Sequence, residues 1–207
     1  MRTWFCLVAL VAAGAAHAQQ KDVPGYDLSQ TIGTPEAQLA EMVELYDTIC
    51  LKTFPDDKAV GEKLLARGAT PMTDAMVKVH LHADPGMGWV LQGKTALFRI
   101  TIELPAYHAC AVRTVIRADF DDMVPYRKII EEHEQSWPSV TRIREMSRVD
   151  GPVHSIIGGE AARLPDGNTE SLIVASDRIE DPTLRKNNPG IDLRFVRQII
   201  APAHGAI

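Results

Sequence analysis

The stretch from Leu97 to Ile116, LFRITIELPAYHACAVRTVI, restricts the fold more than any other in the chain. Phe98, Ile100, Ile102 and Leu104 alternate with Arg99, Thr101 and Glu103, the period-two pattern of a strand with one buried side. After a break at Pro105-Ala106, His108, Cys110, Val112, Thr114 and Ile116 resume the alternation. The pair predicts a hairpin whose inward row carries a cysteine. An apolar row of this kind needs a surface to cover it.

The preceding chain supplies that surface. Thr34-Pro35-Glu36 has the form of an N-cap, a proline in the first helical position and an acid in the first turn. Leu39, Met42, Val43, Tyr46, Ile49 and Cys50 follow at helical spacing, so the helix buries a stripe that ends in Cys50. Cys50 and Cys110 both lie on core-facing rows, as a bridge between helix and hairpin requires. Such a bridge closes a loop of sixty residues, worth about 4 kcal/mol in the chain-entropy view.

Whether the thiols pair depends on the compartment. Arg2, the apolar run Trp4–Ala13 and the small residues of Ala16-His17-Ala18 form a secretory signal over residues 1–18. The run is too short to span about 30 Å of hydrocarbon, and no later stretch approaches that length. Cys6 would leave with the signal, and two cysteines in an oxidising compartment favour a disulfide. The expected location is periplasmic or secreted. Losing the signal takes one Arg and no acid, so the formal charge moves from -5 to -6. A mildly acidic chain lacks the footprint for non-specific nucleic-acid binding, and it has no polybasic segment for anionic lipid.

Beyond a lead-in at 19–33, residues 34–200 are expected to form a single α+β domain with a tail at 201–207. Asp56 and Asp57 cap a second helix, Lys58–Arg67, closed by Gly68. Val77, Val79 and Leu81 alternate with Lys78, His80 and His82, predicting a strand, and Trp89–Leu91 begins another. Met123, Tyr126, Ile129, Ile130, His133 and Trp137 share one face of a central helix. Residues 140–149 fit strand or helix. Later strands are expected near 153–164, with a bulge or bend at Gly158-Gly159, around Leu172–Val174, and over 191–200, where Leu193, Phe195, Arg197 and Ile199 form one row. The order suggests a largely antiparallel sheet with two N-terminal helices and one central helix, and hints at a helix-plus-four-strand pseudo-repeat.

Candidate chemistry is sparse. On a strand, His80 and His82 would present two imidazoles to one ion, with His108, His154 or Asp84 completing a zinc or copper site. A solvated histidine row explains the pair more simply, and His108 shares the inward row with Cys110, which favours packing over ligation. Asp119, Asp121 and Asp122 suit a helix start better than a calcium loop. Arg142, Arg144 and Arg148 would share a face if their segment is a strand, as an anion-binding row or as a guard against edge pairing. No G-x-S-x-G turn or phosphate loop occurs, and the sequence nearness of Ser155, Ser171 and Ser176 to His154 or Asp177 carries little weight.

Cys50 with Phe54-Pro55-Asp56, the Gly88-Trp89 strand start and Cys110-Ala111-Val112 together resemble a group of small exported proteobacterial proteins without an assigned activity. The resemblance covers the first half of the mature chain. It implies a paired-cysteine extracytoplasmic domain and transfers no catalytic residue. With no recognisable catalytic set, the expectation is a non-enzymatic binding or accessory module for a small ligand or an envelope protein. A metal-binding protein or metal-dependent hydrolase using His80, His82 and His108 is the alternative.

Overall fold

The computed structural model describes residues 32–116, 123–186 and 190–202. The expected signal, the acidic cluster Asp119, Asp121 and Asp122, and most of the lead-in and tail lie outside these residues.

Helix α1 (Pro35–Tyr46) starts where its cap predicts, with Thr34 Oγ1 accepting from the Ala37 N–H at 3.3 Å. It runs on into a π-helical turn, Asp47–Leu51, which carries Ile49 and Cys50 into the core. In α2 (Asp57–Ala66) the Asp56 carboxylate accepts from the Ala59 N–H at 2.9 Å, and Gly68 turns the chain away at φ +85°. A two-residue strand β1 (Thr70–Pro71) and helix α3 (Asp74–His80) precede β2 (Gly86–Gln92), β3 (Leu97–Glu103) and β4 (Ala109–Ile116). Then come α4 (Val124–Glu134), β5 (Thr141–Asp150), β6 (Val153–Arg163), β7 (Thr169–Ile179), α5 (Pro182–Arg185) and β8 (Ile191–Ile200).

The strand expected over 77–82 is helix α3 instead. Thr73 Oγ1 accepts from the Met76 N–H, and Val77 and Leu81, four apart, are buried while Val79 is 70% exposed. Period-two hydropathy and a short i, i+4 stripe coincide in MVKVHL, and the threonine cap decides between them. Among the described residues, the part before β2 therefore holds three α-helices rather than the two expected, and α5 adds a further short one ahead of β8.

Among the described residues the strands form one antiparallel sheet in the order β1-β2-β3-β4-β8-β7-β6-β5. Four neighbouring strands come from each half of the chain and meet where β4 pairs with β8, although β1 has two residues and β5 ten. The fold is α+β. The expected hairpin is β3–β4, with Ile102 opposite Cys110 and Ile100 opposite Val112.

One face of the sheet carries the main core. Phe98, Ile100, Ile102, Cys110, Val112, Ile116, Leu172, Leu193 and Phe195 pack there against Leu39, Met42, Tyr46 and Ile49, and against Tyr126 and Ile130 of α4. The disulfide Cys50–Cys110 crosses this layer with 5.5 Å between Cα atoms, and both residues are fully buried. We call this the helix face. The opposite face is more polar, and α3 covers its β2 end through Met72, Val77, Leu81 and Val90. None of the described helices is long and apolar enough to cross a membrane.

Candidate functional site

The second face of the sheet holds an arginine row that crosses three strands. Arg99 of β3 lies opposite Arg113 of β4, and Arg113 lies opposite Arg194 of β8. Like charges directly across a ladder repel, so the arrangement needs compensation. Part comes from Asp192, which Arg113 grips with a fork: Nε donates to Oδ1 at 2.7 Å and to Oδ2 at 2.9 Å, and Nη2 donates to Oδ2. Asp192 is almost fully buried, so the pair is held in low dielectric where such forks are strong. Asp177, opposite Asp192 on β7, adds a second negative charge felt by Arg194.

Among the described residues, Asp192 and Asp177 thus stand beside the three guanidinium groups on the strands themselves. Arg194 is the extreme member, since burial lowers its pKa and the neighbouring Arg113 lowers it further. Its Nε is buried without a hydrogen-bond partner among the described residues. A buried N–H of a charged group left unmatched is costly and calls for an acceptor.

Space for one exists. A recess of about 150 Å³ is lined by Arg99, Arg113 and Arg194 together with Thr101, Ala111 and His80. The short side chains of Ala109 and Ala111 form its floor on β4. An adjoining recess of about 390 Å³ shares the three arginines with His80 and His82 and reaches Asp177 and Asp192. Its roof is α3, through Met76 and Val79. At the far end of the smaller recess, Glu103 is pushed above the ordinary carboxylate range by burial and by Asp84.

The turn after α3 places the two histidines here. His82 and Ala83 take φ values of +51° and +74°, a left-handed pair without glycine. Such conformations cost of order 1 kcal/mol each and collect at functional sites. His80, the last residue of α3, is held below the usual imidazole range first by burial and then by Arg113, Arg99 and Arg194, with Asp192 opposing.

His80 and His82 thus do come together, but on a helix end and its turn rather than on a strand. His108 is elsewhere: it lies at the start of β4 on the helix-face side, its Nε2 2.9 Å from Asp57 Oδ1 and its ring edge-on to Phe54. His154 belongs to β6, beside Ser147 and Glu180. No group of three or more His, Cys, Asp or Glu side chains among the described residues is arranged to hold an ion. Arg142, Arg144 and Arg148 are on edge strand β5, where a bulge between Ile143 and Met146 shifts the register. Arg142 then faces Glu160 and Arg148 faces Ser155, on opposite sides of the sheet, so the expected single row does not form. The bulge sits across from Gly158 and Gly159 rather than in their own strand.

A second buried charged group lies on the helix face. Glu170 of β7 accepts from Trp137 Nε1 at 2.6 Å and from Arg197, with His133 Nε2 3.0 Å away. Arg197 Nη1 also donates to the carbonyls of Cys50, Leu51 and Phe54, which closes the open end of the π-helical turn. This network is sealed in the core and has a structural role.

The sequence reading missed Arg99, Arg113 and Arg194 as a set, and Glu170 with Arg197. A guanidinium inside the otherwise apolar row Leu193, Phe195, Arg197, Ile199 was the one available signal. The arginine row had none, because it depends on which strand returns beside β4. The chain matches no family model, no curated protein and no solved structure.

Proposed function

We propose that this chain is an exported binding module that holds a small oxyanion, of carboxylate or phosphate type, in the recess of Arg99, Arg113 and Arg194. One observation carries the reading: three arginines in register across adjacent strands, with the Arg194 Nε buried and unmatched beside a recess. An oxyanion there supplies the missing acceptor for the Arg194 Nε. The larger recess is within the range of ligand sites and the smaller below it, which suits a ligand of few heavy atoms. Export is supported by the signal-like residues 1–18 and by the fully buried disulfide.

Titration calorimetry with inorganic phosphate, succinate and the uncharged succinamide tests the reading. Saturable binding of an anion, absent for the amide and weakened tenfold or more in Arg194→Gln, is the expected result, since a charge-assisted hydrogen bond is worth about 1.5–3 kcal/mol. Equal heats for anion and amide, or affinity unchanged in a folded Arg194→Gln, would overturn it.

A further inference from the structure

On the helix face, at the edge furthest from the arginine row's partner strand β3, three side chains form a hydroxyl–imidazole–carboxylate chain. Ser147 Oγ is 2.8 Å from His154 Nε2, and His154 Nδ1 is 2.9 Å from Glu180 Oε1. The hairpin register makes this contact. Val149 pairs with His154 and Ser147 with Ile156, so Ser147 and His154 are diagonal neighbours on one face, within reach of each other. Gly151, at φ +58°, opens the two-residue turn that sets the register. Glu180 follows β7 directly and is tied to that turn, its N–H donating to the Pro152 carbonyl at 2.8 Å.

The proton positions follow from the partners. Arg178 Nε donates to Glu180 at 2.7 Å. The bond to His154, and next that to Arg178, hold the Glu180 carboxyl below its ordinary range, so it is ionised and only accepts. His154 Nδ1 therefore carries the proton and donates. Nε2 is left as an acceptor, and the Ser147 hydroxyl donates to it. Arg178 Nη2 stands 3.5 Å from Nδ1, too far to compete with the carboxylate.

We propose that Ser147 is an activated nucleophile, with His154 as its general base and Glu180 as the residue that positions the imidazole, acting on short-chain esters. Oγ bonds to the ester carbonyl carbon while its proton passes to His154 Nε2. The carbon–alkoxy bond then breaks, and the leaving oxygen takes that proton. Water, deprotonated by the same nitrogen, releases the acid and restores the serine; no oxidant or metal is needed. Ser147 is solvent-exposed, and Val149, 64% exposed, gives an apolar border for a short acyl group. Because β5 is an edge strand, alternate backbone N–H groups lie outside its ladder, and these are the donors open to a developing oxyanion. A positioned base alone gives about 10²–10⁴-fold, so slow turnover is expected. The site is independent of the oxyanion recess on the opposite face.

Labelling with a fluorophosphonate, read by intact mass and peptide mapping, tests this without an optimised substrate. Oγ displaces fluoride at phosphorus and its proton leaves through His154. The expected result is one adduct, at Ser147, absent in Ser147→Ala and formed about 100-fold more slowly in His154→Ala, with 4-nitrophenyl acetate hydrolysis falling in parallel. Glu180→Gln, which keeps the shape of the side chain but removes the charge that positions His154, should slow labelling at Ser147 without moving the adduct to another serine. No adduct, adducts spread over several serines, or a rate at Ser147 indifferent to His154→Ala would each overturn the proposal.

Discussion

Arg197 and Glu170 form a buried ion pair that joins the centre of the sheet to the end of the first helix: the carboxylate holds Nε while Nη1 reaches three backbone carbonyls of the segment 50–54. Both side chains are nearly inaccessible, at 11% and 3%. A pair this deep depends on the acceptors that meet the Arg197 Nε and Nη1 donors.

Acid should weaken the fold through Glu170. Burial pushes its carboxyl up, but the His133 bond, the Arg197 charge and bond, and the Trp137 bond outweigh it and hold it at about 2. A depressed folded value means that the contribution is complete above the unfolded value near 4.5 and is lost as pH falls toward 2. Its size is on the order of 3 kcal/mol. Glu170→Gln should cost roughly 3–5 kcal/mol at pH 7 by stranding Arg197, and chemical denaturation from pH 7 to pH 2 should show a shallower acid loss in the variant.

Reduction should be costly as well. The Cys50–Cys110 loop spans 60 residues, which corresponds to about 4 kcal/mol. Mass spectrometry of the unfolded, unreduced chain should show two protons fewer than after reduction, and the urea midpoint should fall with reductant.

The adjacent glycines of β6 should respond in opposite ways. A Cβ on Gly159 would sit 2.0 Å from the Leu172 carbonyl oxygen and 3.0 Å from Ile173 Cα, whereas one on Gly158 meets nothing closer than 3.9 Å. Backbone cannot yield as a flexible side chain can, so Gly159→Ala should lose about 3 kcal/mol or more. Gly158→Ala should stay within about 1 kcal/mol of the parent; thermal melting of the two compares them directly.

His80 gives the second face its own pH response. Its lowered value means that the folded chain binds fewer protons than the unfolded chain just below pH 6.5. Its contribution is therefore complete above that pH and declines as pH falls through it. His80→Gln should flatten stability between pH 7 and 5. Sulfate, which does not titrate in this range, should restore the acid side in the parent by screening the Arg99, Arg113 and Arg194 charges that oppose protonation.

What the sequence disclosed was local. Strands β3 and β4 announce themselves because each alternates over seven or more residues, and α1 because Thr34-Pro35-Glu36 caps it. The stretch 77–82 misled because β-branched residues in a seven-residue helix mimic a strand, and only the Thr73 cap distinguishes them. The sites were illegible for a different reason: Arg99 meets Arg194 only through β4–β8 pairing, Ser147 meets His154 only once the β5–β6 turn fixes the register, and Glu170 meets Arg197 only across β7–β8. Local pattern fixes which way a side chain points along its own strand, and leaves open what stands beside it.

The last strand among the described residues, β8, lies in the middle of the sheet, between β4 and β7. Strands β1–β4 and β5–β7 can each assemble as a meander, and Cys50 can pair with Cys110, before β8 is in place. Joining the halves and closing the π-helical turn with Arg197 both wait for it. A chain cut short between residues 179 and 191 would therefore be expected to hold a correct disulfide and an unfinished sheet, with the β4 edge exposed to whatever strand comes next. For this topology, completion of the sheet is decided by the ten-residue strand β8.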